Sequence, residues 1–327
     1  MNGCRVRETP PRTSFDSVFY AEWERWRERP AMVWVPRVGP PLLRTVGHFS
    51  DMARRVANVL DGLGVTPDDR IALALPPVPE WWELAAGAAH AGVPFAPLPE
   101  GGGMPDLVAA VRAVAATVLV LDGARSELVQ AVREGCPSVR RVIRVRGPSV
   151  PAMGGVVDYG SAIWAVMHSS DSDHDAPPSR GPVVLTHDDA ATVTARGYEE
   201  IREAQDRLAA RRWTRPKPDL HLNLVPSHTL AGVVFALFEP WSAGAAILVD
   251  EIAADLTAST DSGTVARVAA LVDRFPVSTL SVPASAHAAL GAGGAVLRTD
   301  TALGLDRAEP VVVARILPGT TLYRTFR

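Results

Sequence analysis

Residues 169–187 run Ser169-Ser170-Asp171-Ser172-Asp173-His174-Asp175-Ala176-Pro177-Pro178-Ser179-Arg180-Gly181-Pro182-Val183-Val184-Leu185-Thr186-His187, a dense group of side chains able to do chemistry. Aspartates at alternate positions offer hard oxygen ligands, as at the opening of a calcium loop. That loop needs glycine at its sixth position and a bidentate glutamate at its twelfth, where this chain has Ala176 and Pro182. His168 and His174 beside the aspartates could hold a transition metal loosely, and a solvated loop explains the same residues. No metal ligand and no catalytic residue is assigned. A second tract, Arg211-Arg212-Trp213-Thr214-Arg215-Pro216-Lys217, surrounds one tryptophan with cations. It lacks the second aromatic on which bases would stack and reads as a solvated turn. Gly101-Gly102-Gly103 lacks the Gly-x-Gly-x-x-Gly spacing, does not sit between a strand and the helix it would open, and reads as loop.

The elements that must position these groups follow from periodicity. Phe15, Phe19, Tyr20, Trp23 and Trp26 recur at helical spacing before Pro30, and core packing accounts for them. Residues 32–35 and 42–46 are β-prone runs around a Pro/Gly turn, a predicted hairpin. Phe49, Met52, Val56, Leu60 and Leu63 mark one helix face, which Gly64 ends. Short apolar runs follow at 71–75, 93–97, 118–121 and 142–145, with helical patterns at 80–90, 105–114 and 125–133 between them. Strands buried on both faces and joined by helical crossovers imply parallel pairing. Residues 147–179 read as loop. Beyond them come a strand at 183–185, a helix from His187 to about Arg212 with a Thr186/Asp189 capping box, and alternating runs at 220–225, 231–238, 245–249, 264–275, 277–282 and 284–290. Glu203 and Arg207 sit four apart on the exposed face of the long helix.

The fold class expected is therefore α/β, two stacked αβ lobes with largely parallel sheets. The expected division is a tail at 1–14, a first lobe at 15–165, a loop region at 166–181 and a second lobe at 182–327. A chain of 327 residues exceeds the size at which one core stops growing, which agrees with two lobes. The 33 basic and 36 acidic residues, net charge -3, exclude a dominant nucleic-acid surface. Cys4 and Cys136 form no disulfide framework and suit a reducing cytoplasm. No apolar run is long enough for a membrane span, and a cytoplasmic protein is expected.

Four stretches together resemble the adenylate-forming superfamily of acyl-CoA synthetases, luciferases and peptide-synthetase adenylation domains. They are Gly64-Val65-Thr66-Pro67-Asp68-Asp69-Arg70-Ile71-Ala72-Leu73 after its helix, then Pro79-Glu80-Trp81-Trp82 through Gly92-Val93-Pro94-Phe95-Ala96-Pro97-Leu98, then Arg180-Gly181-Pro182-Val183-Val184-Leu185-Thr186-His187, and Pro226-Ser227-His228-Thr229-Leu230-Ala231-Gly232 with Pro240 and Gly244. Weaker echoes lie at 277–290 and 318–326. The resemblance implies the large N-terminal domain of a ligase that reacts a carboxylate with ATP-Mg, then passes the acyl group to CoA. The small C-terminal domain is absent from what it covers.

On that resemblance Ser169, Ser170, Ser172, Arg180, Gly181 and Thr186 occupy the ATP loop, and His228 and Gly232 the acyl-pocket wall. A strand end and helix cap also explain Thr186, and a core histidine explains His228. The family's loop is rich in glycine and hydroxyls, which bring donors close to phosphate. Here it carries Asp171, Asp173 and Asp175, two prolines, and no glycine before Gly181. Three readings follow: an acyl-CoA synthetase-like protein unable to form an adenylate alone; the large piece of a split ligase completed by a partner protein that carries the C-terminal domain; or a non-catalytic acyl- or CoA-binding or interaction protein. The ligand class implied is a carboxylic acid or acyl-CoA. ATP-Mg and CoA are implied by the resemblance only.

Overall fold

The structure is a computed structural model that describes residues 26–99, 103–147, 154–168, 183–187, 192–210, 220–252, 262–283, 286, 297–303 and 311–316. Outside the described residues lie the tail at 1–14, the aromatic helix expected before Trp26, Ser169, Ser170, Ser172, Arg180, Gly181, the tract at 211–217, all but one residue of the 284–290 helix, and 318–326.

Among the described residues two seven-stranded sheets dominate. The first contains β3 (Ile71–Ala74), β4 (Phe95–Pro97), β5 (Val118–Asp122), β6 (Arg141–Val145), β7 (Val156–Asp158), β8 (Val184–His187) and β9 (Val193–Arg196), in the order β7-β6-β5-β3-β4-β8-β9. All its pairs are parallel except β8 with β9. The second contains β1 (Pro30–Val35), β2 (Leu42–Thr45), β10 (Leu220–Asn223), β11 (Ala246–Asp250), β12 (Thr279–Pro283), β13 (Leu297–Leu303) and β14 (Val311–Ile316), in the order β13-β14-β12-β10-β11-β1-β2. Its central pairs are parallel, while β2, β13 and β14 run antiparallel at the margins.

The continuous apolar runs are explained by helices on both faces. Ile71, Leu73, Val118 and Val120 face one core, and Ala72, Ala74, Leu119 and Leu121 face another. The shared central core receives helices α1 (Val46–Gly62), α2 (Pro79–His90), α5 (Tyr159–His168) and α6 (Tyr198–Ala210) together with strands from both sheets. Helices α3 (Met104–Ala113) and α4 (Leu128–Gly135) cover the outer face of the first sheet. Helix α7 also enters the central core, in three pieces: Leu230–Val233, a π-helical turn Val234–Phe238, and Glu239–Ser242. Helix α8 (Ser262–Arg274) covers the second sheet from outside. The two stacked αβ lobes with largely parallel sheets are as expected. No helix among the described residues is long and apolar enough to cross a membrane.

The hairpin β1/β2 and helix α1 form as the sequence predicts. The Thr45 hydroxyl caps α1 by accepting from His48 N–H at 3.2 Å, and Gly64, at φ +69, turns the chain away from it. Elsewhere the sequence misleads. The helix expected from His187 is instead β8, then β9, then α6 from Tyr198. Thr186 pairs with Thr194 and is fully buried mid-strand, so it is no helix cap. The β-branched Val193 and Thr194 pair with β8, and that pairing overrides the alanines around them. The exposed pair expected on this helix is present, with Arg207 Nη2 3.7 Å from Glu203 Oε2.

Residues 156–168, read as loop, form β7 and α5. Gly103 does open a helix, serving as the N-cap of α3 with its N–H bonded to Asp106 Oδ2 at 3.0 Å. Sheet membership also departs from chain order. The N-terminal hairpin β1/β2 joins the strands of the later half, while β8 and β9 join the first sheet. Pairing follows which edge is open, and sequence position does not restrict it.

Candidate functional site

Parallel strands point their C-terminal ends to one edge, and ligands in open α/β sheets bind beyond that edge. Two features lie there. The first is the meeting of β8 with the start of α7. His187, the last residue of β8, donates its backbone N–H to the His228 carbonyl at 2.8 Å, and their rings stand edge to face with centroids 6.2 Å apart. The Thr229 hydroxyl caps α7 by accepting from Gly232 N–H at 3.0 Å, while it donates to the Pro226 carbonyl at 2.9 Å. A Cβ on residue 232 would lie 1.8 Å from the Pro226 oxygen, so only glycine lets the helix start this close to its own approach loop.

Burial, with His187 beside it, pushes the His228 imidazole down to about 4. It is therefore neutral at pH 7 and offers a hydrogen bond, not a charge. Thr186 is fully buried, and its hydroxyl accepts from Arg196 Nε at 3.4 Å. The structure thus brings Thr186, His187, His228 and Gly232 to one junction. Among the described residues no group of three or more His, Cys, Asp or Glu could hold a metal ion.

The second feature is a cleft of about 720 Å³ between the two sheets. Its walls come just past the ends of β3, β4, β5 and β6 on one side, and past β1 and β11 on the other. Arg146 joins the two sides. Its guanidinium bonds Glu251 Oε1 at 2.9 Å and also Asp122 Oδ2. Arg37 N–H donates to Glu251 Oε2 at 3.0 Å.

Burial favours an uncharged Glu251, but the Arg37 N–H and the Arg146 guanidinium outweigh it and hold the carboxyl below its ordinary value. Burial likewise opposes charge on Arg146, and the bonds from Glu251 and Asp122 outweigh it, raising that group further. Arg146 sits at φ +60, a left-handed conformation costly for a residue with a Cβ. Its carbonyl lies 2.0 Å from where a Cβ on residue 123 would be, so Gly123 lets the loops after β5 and β6 meet backbone to backbone. Among the described residues its walls carry the arginines Arg37, Arg125 and Arg146 and the carboxylates Asp122 and Glu251.

These cleft residues were missed in the sequence although a signal was present. Asp122 and Arg146 directly follow the apolar runs at 118–121 and 142–145. A charge at the C-terminal end of a buried parallel strand emerges at the edge where open α/β sheets bind ligands.

A family model described as AMP-binding enzyme matches residues 19–194. Acyl-coenzyme A synthetase ACSM5, mitochondrial, of Mus musculus is 27% identical over 258 residues, which cover 77% of this chain and 42% of that protein. Acyl-coenzyme A synthetase ACSM1, mitochondrial, of Homo sapiens is 26% identical over 262 residues, covering 75% and 44%. Among solved structures, Brucella canis acyl-CoA synthetase superposes with a TM-score of 0.67 at 20% identity, over 81% of this chain and 46% of that one. The anthranilate CoA ligase AuaEII, in complex with anthranoyl-AMP, gives 0.65 at 15% identity, over 81% and 48%. The chain spans less than half the length of each of these proteins.

Proposed function

The chain belongs to the AMP-binding enzyme family, and from that membership we propose an acyl-CoA synthetase-like protein that binds an acyl or CoA-type ligand without forming an acyl-adenylate by itself. The observation that carries this reading is the charge of the segment leading into β8. Where the resemblance implies a donor-rich polyphosphate loop, the chain has Asp171, Asp173 and Asp175 and no glycine before Gly181. Losing even two hydrogen bonds to a charged group costs about 3–6 kcal/mol, or ~10²–10⁴ in affinity. His228 is neutral at pH 7 and supplies no compensating cation. The full burial of Thr186, with its hydroxyl bonded by Arg196, supports the same reading.

The cleft supports the binding half of the reading. Guanidinium groups on its walls suit a phosphate-bearing ligand such as an acyl-CoA. The names of the mammalian relatives, acyl-coenzyme A synthetases, make that ligand the first to try. A cytoplasmic setting belongs to the same reading, supported by the free, buried Cys136, although those relatives are named as mitochondrial.

Two measurements test it. ATP–pyrophosphate exchange by the pure chain, across a panel of carboxylates, is expected to stay at background, and clear turnover overturns the proposal. Calorimetry with acyl-CoA is expected to show binding that weakens about tenfold or more in Arg125→Glu, the loss of roughly one charge-assisted contact.

A second reading rests on the extent of the match, 42% and 44% of the two mammalian relatives. In it a partner protein completes the ligase in trans. Thioester formation that needs ATP and appears only on adding such a partner would favour it.

A further inference from the structure

Asn223, the last residue of β10, faces the loop that carries His228. Its Oδ1 accepts from the backbone N–H of Val225 at 3.1 Å and from the hydroxyl of Ser281, on β12, at 2.7 Å. A backbone N–H can only donate, so this bond fixes which way the amide lies. The Nδ2 is left to donate to the Gly232 carbonyl, 3.4 Å away. Since the Ser281 proton is committed to Asn223, the His221 ring must donate in its 2.9 Å contact with Ser281 Oγ. The chain of donors therefore runs one way, from His221 to Ser281 to Asn223. It continues to Gly232, while Val225 braces Asn223 from the other side.

Val225 and Gly232 are the two ends of the segment that holds His228. The middle of that segment is tied separately, by Thr229 to Pro226 and by His187 to His228. His221 and Ser281 have no solvent exposure. Apolar residues would fill this part of the sheet without the cost of burying polar groups. A satisfied polar network buried there rigidifies what it touches.

We propose that Asn223, oriented by Ser281 and His221, is a positioning residue that clamps both ends of the 225–232 segment and keeps the His228 ring against His187 and away from water. The proposal deepens the reading of His228 as a wall of the acyl pocket and rests on it for its functional meaning. Its test needs no ligand.

In the full chain, the His228 imidazole is followed by NMR as the pH is lowered, with its signal assigned by loss in His228→Gln. The wild-type midpoint is expected at about 4. Asn223→Ala should raise it by about one unit or more, toward the ordinary histidine value. Ser281→Ala, which leaves Asn223 in place without its orienting donor, should move it the same way by less. An Asn223→Ala protein that melts lower but titrates like wild type has lost stability alone, and that overturns the clamp. A wild-type midpoint at the ordinary histidine value overturns it as well. Should Asn223→Ala not fold, Ser281→Ala decides, and an unmoved midpoint there counts against the proposal. Absence of acyl-CoA binding together with the expected shift strikes the functional reading and spares the clamp. Binding with an unmoved midpoint does the reverse.

Discussion

The indole N–H of Trp82, on α2, donates to the backbone carbonyl of Ala236 at 2.8 Å, inside the π-helical turn of α7. Pro240, four residues further along α7, has no N–H to give that carbonyl, and the bond must be supplied from outside. Here a side chain 154 residues away in sequence supplies it and joins the helices of the two lobes within the buried layer between the sheets.

Trp82→Phe keeps most of the apolar bulk and removes the donor. The buried carbonyl then stays unsatisfied, and a loss of about 2–4 kcal/mol is expected, combining that penalty with the smaller ring. Urea unfolding monitored by circular dichroism reads it directly. A loss below the error of the fit would show that the bond contributes nothing.

Gly232→Ala and Gly62→Ala should part company. At residue 232 the new methyl meets the Pro226 backbone at 1.8 Å, while at residue 62, on the exposed end of α1, nothing lies within 4 Å. The first should cost about 3–5 kcal/mol and displace the His228 loop. The second should be neutral or stabilising by about 0.5–1 kcal/mol. Paired thermal melts test both, and equal melting temperatures would contradict the close approach.

The neutral His228 makes stability depend on pH with a definite sign. Its folded-state value of about 4 lies below the ordinary 6.5, so the unfolded chain binds the extra proton between these values. The contribution is complete above pH 6.5 and is lost as the pH falls toward 4, with a slope up to about 1.4 kcal/mol per unit. Asp69 and Glu251 are raised by burial but lowered further by their donors, so their contributions disappear in a lower window, below the ordinary carboxylate values. His228→Gln should therefore flatten the upper window alone. Unfolding free energies collected across pH 4–7 for both proteins provide the check.

At Arg146 two effects oppose each other. Replacing it breaks the bonds to Asp122 and Glu251, and the part-buried pair is worth about 1–3 kcal/mol. The backbone at φ +60, however, favours glycine by about 1 kcal/mol. Arg146→Gly is accordingly expected to be less destabilising than Arg146→Ala, although both lose the same ion pairs. If the alanine variant proves the more stable, the left-handed backbone assignment at this position is wrong.

The sequence by itself determined the layers. Apolar runs without alternation, such as 118–121, report strands covered on both faces, and helical spacing of Phe49, Met52, Val56 and Leu60 reports a helix with one buried face. It also showed the acidic run at Asp171, Asp173 and Asp175, because charge is a property of the residues themselves. Tertiary structure alone decided which strands share a sheet, so that β1 lies beside β11 and β9 forms where a helix was expected. It alone brought His187 to His228 and placed Arg146 against Glu251, 105 residues apart. The physical reason is that periodicity records only which side of a segment avoids water. Which partner covers that side depends on free edges and on the packing of distant elements, and no local stretch of chain carries that information.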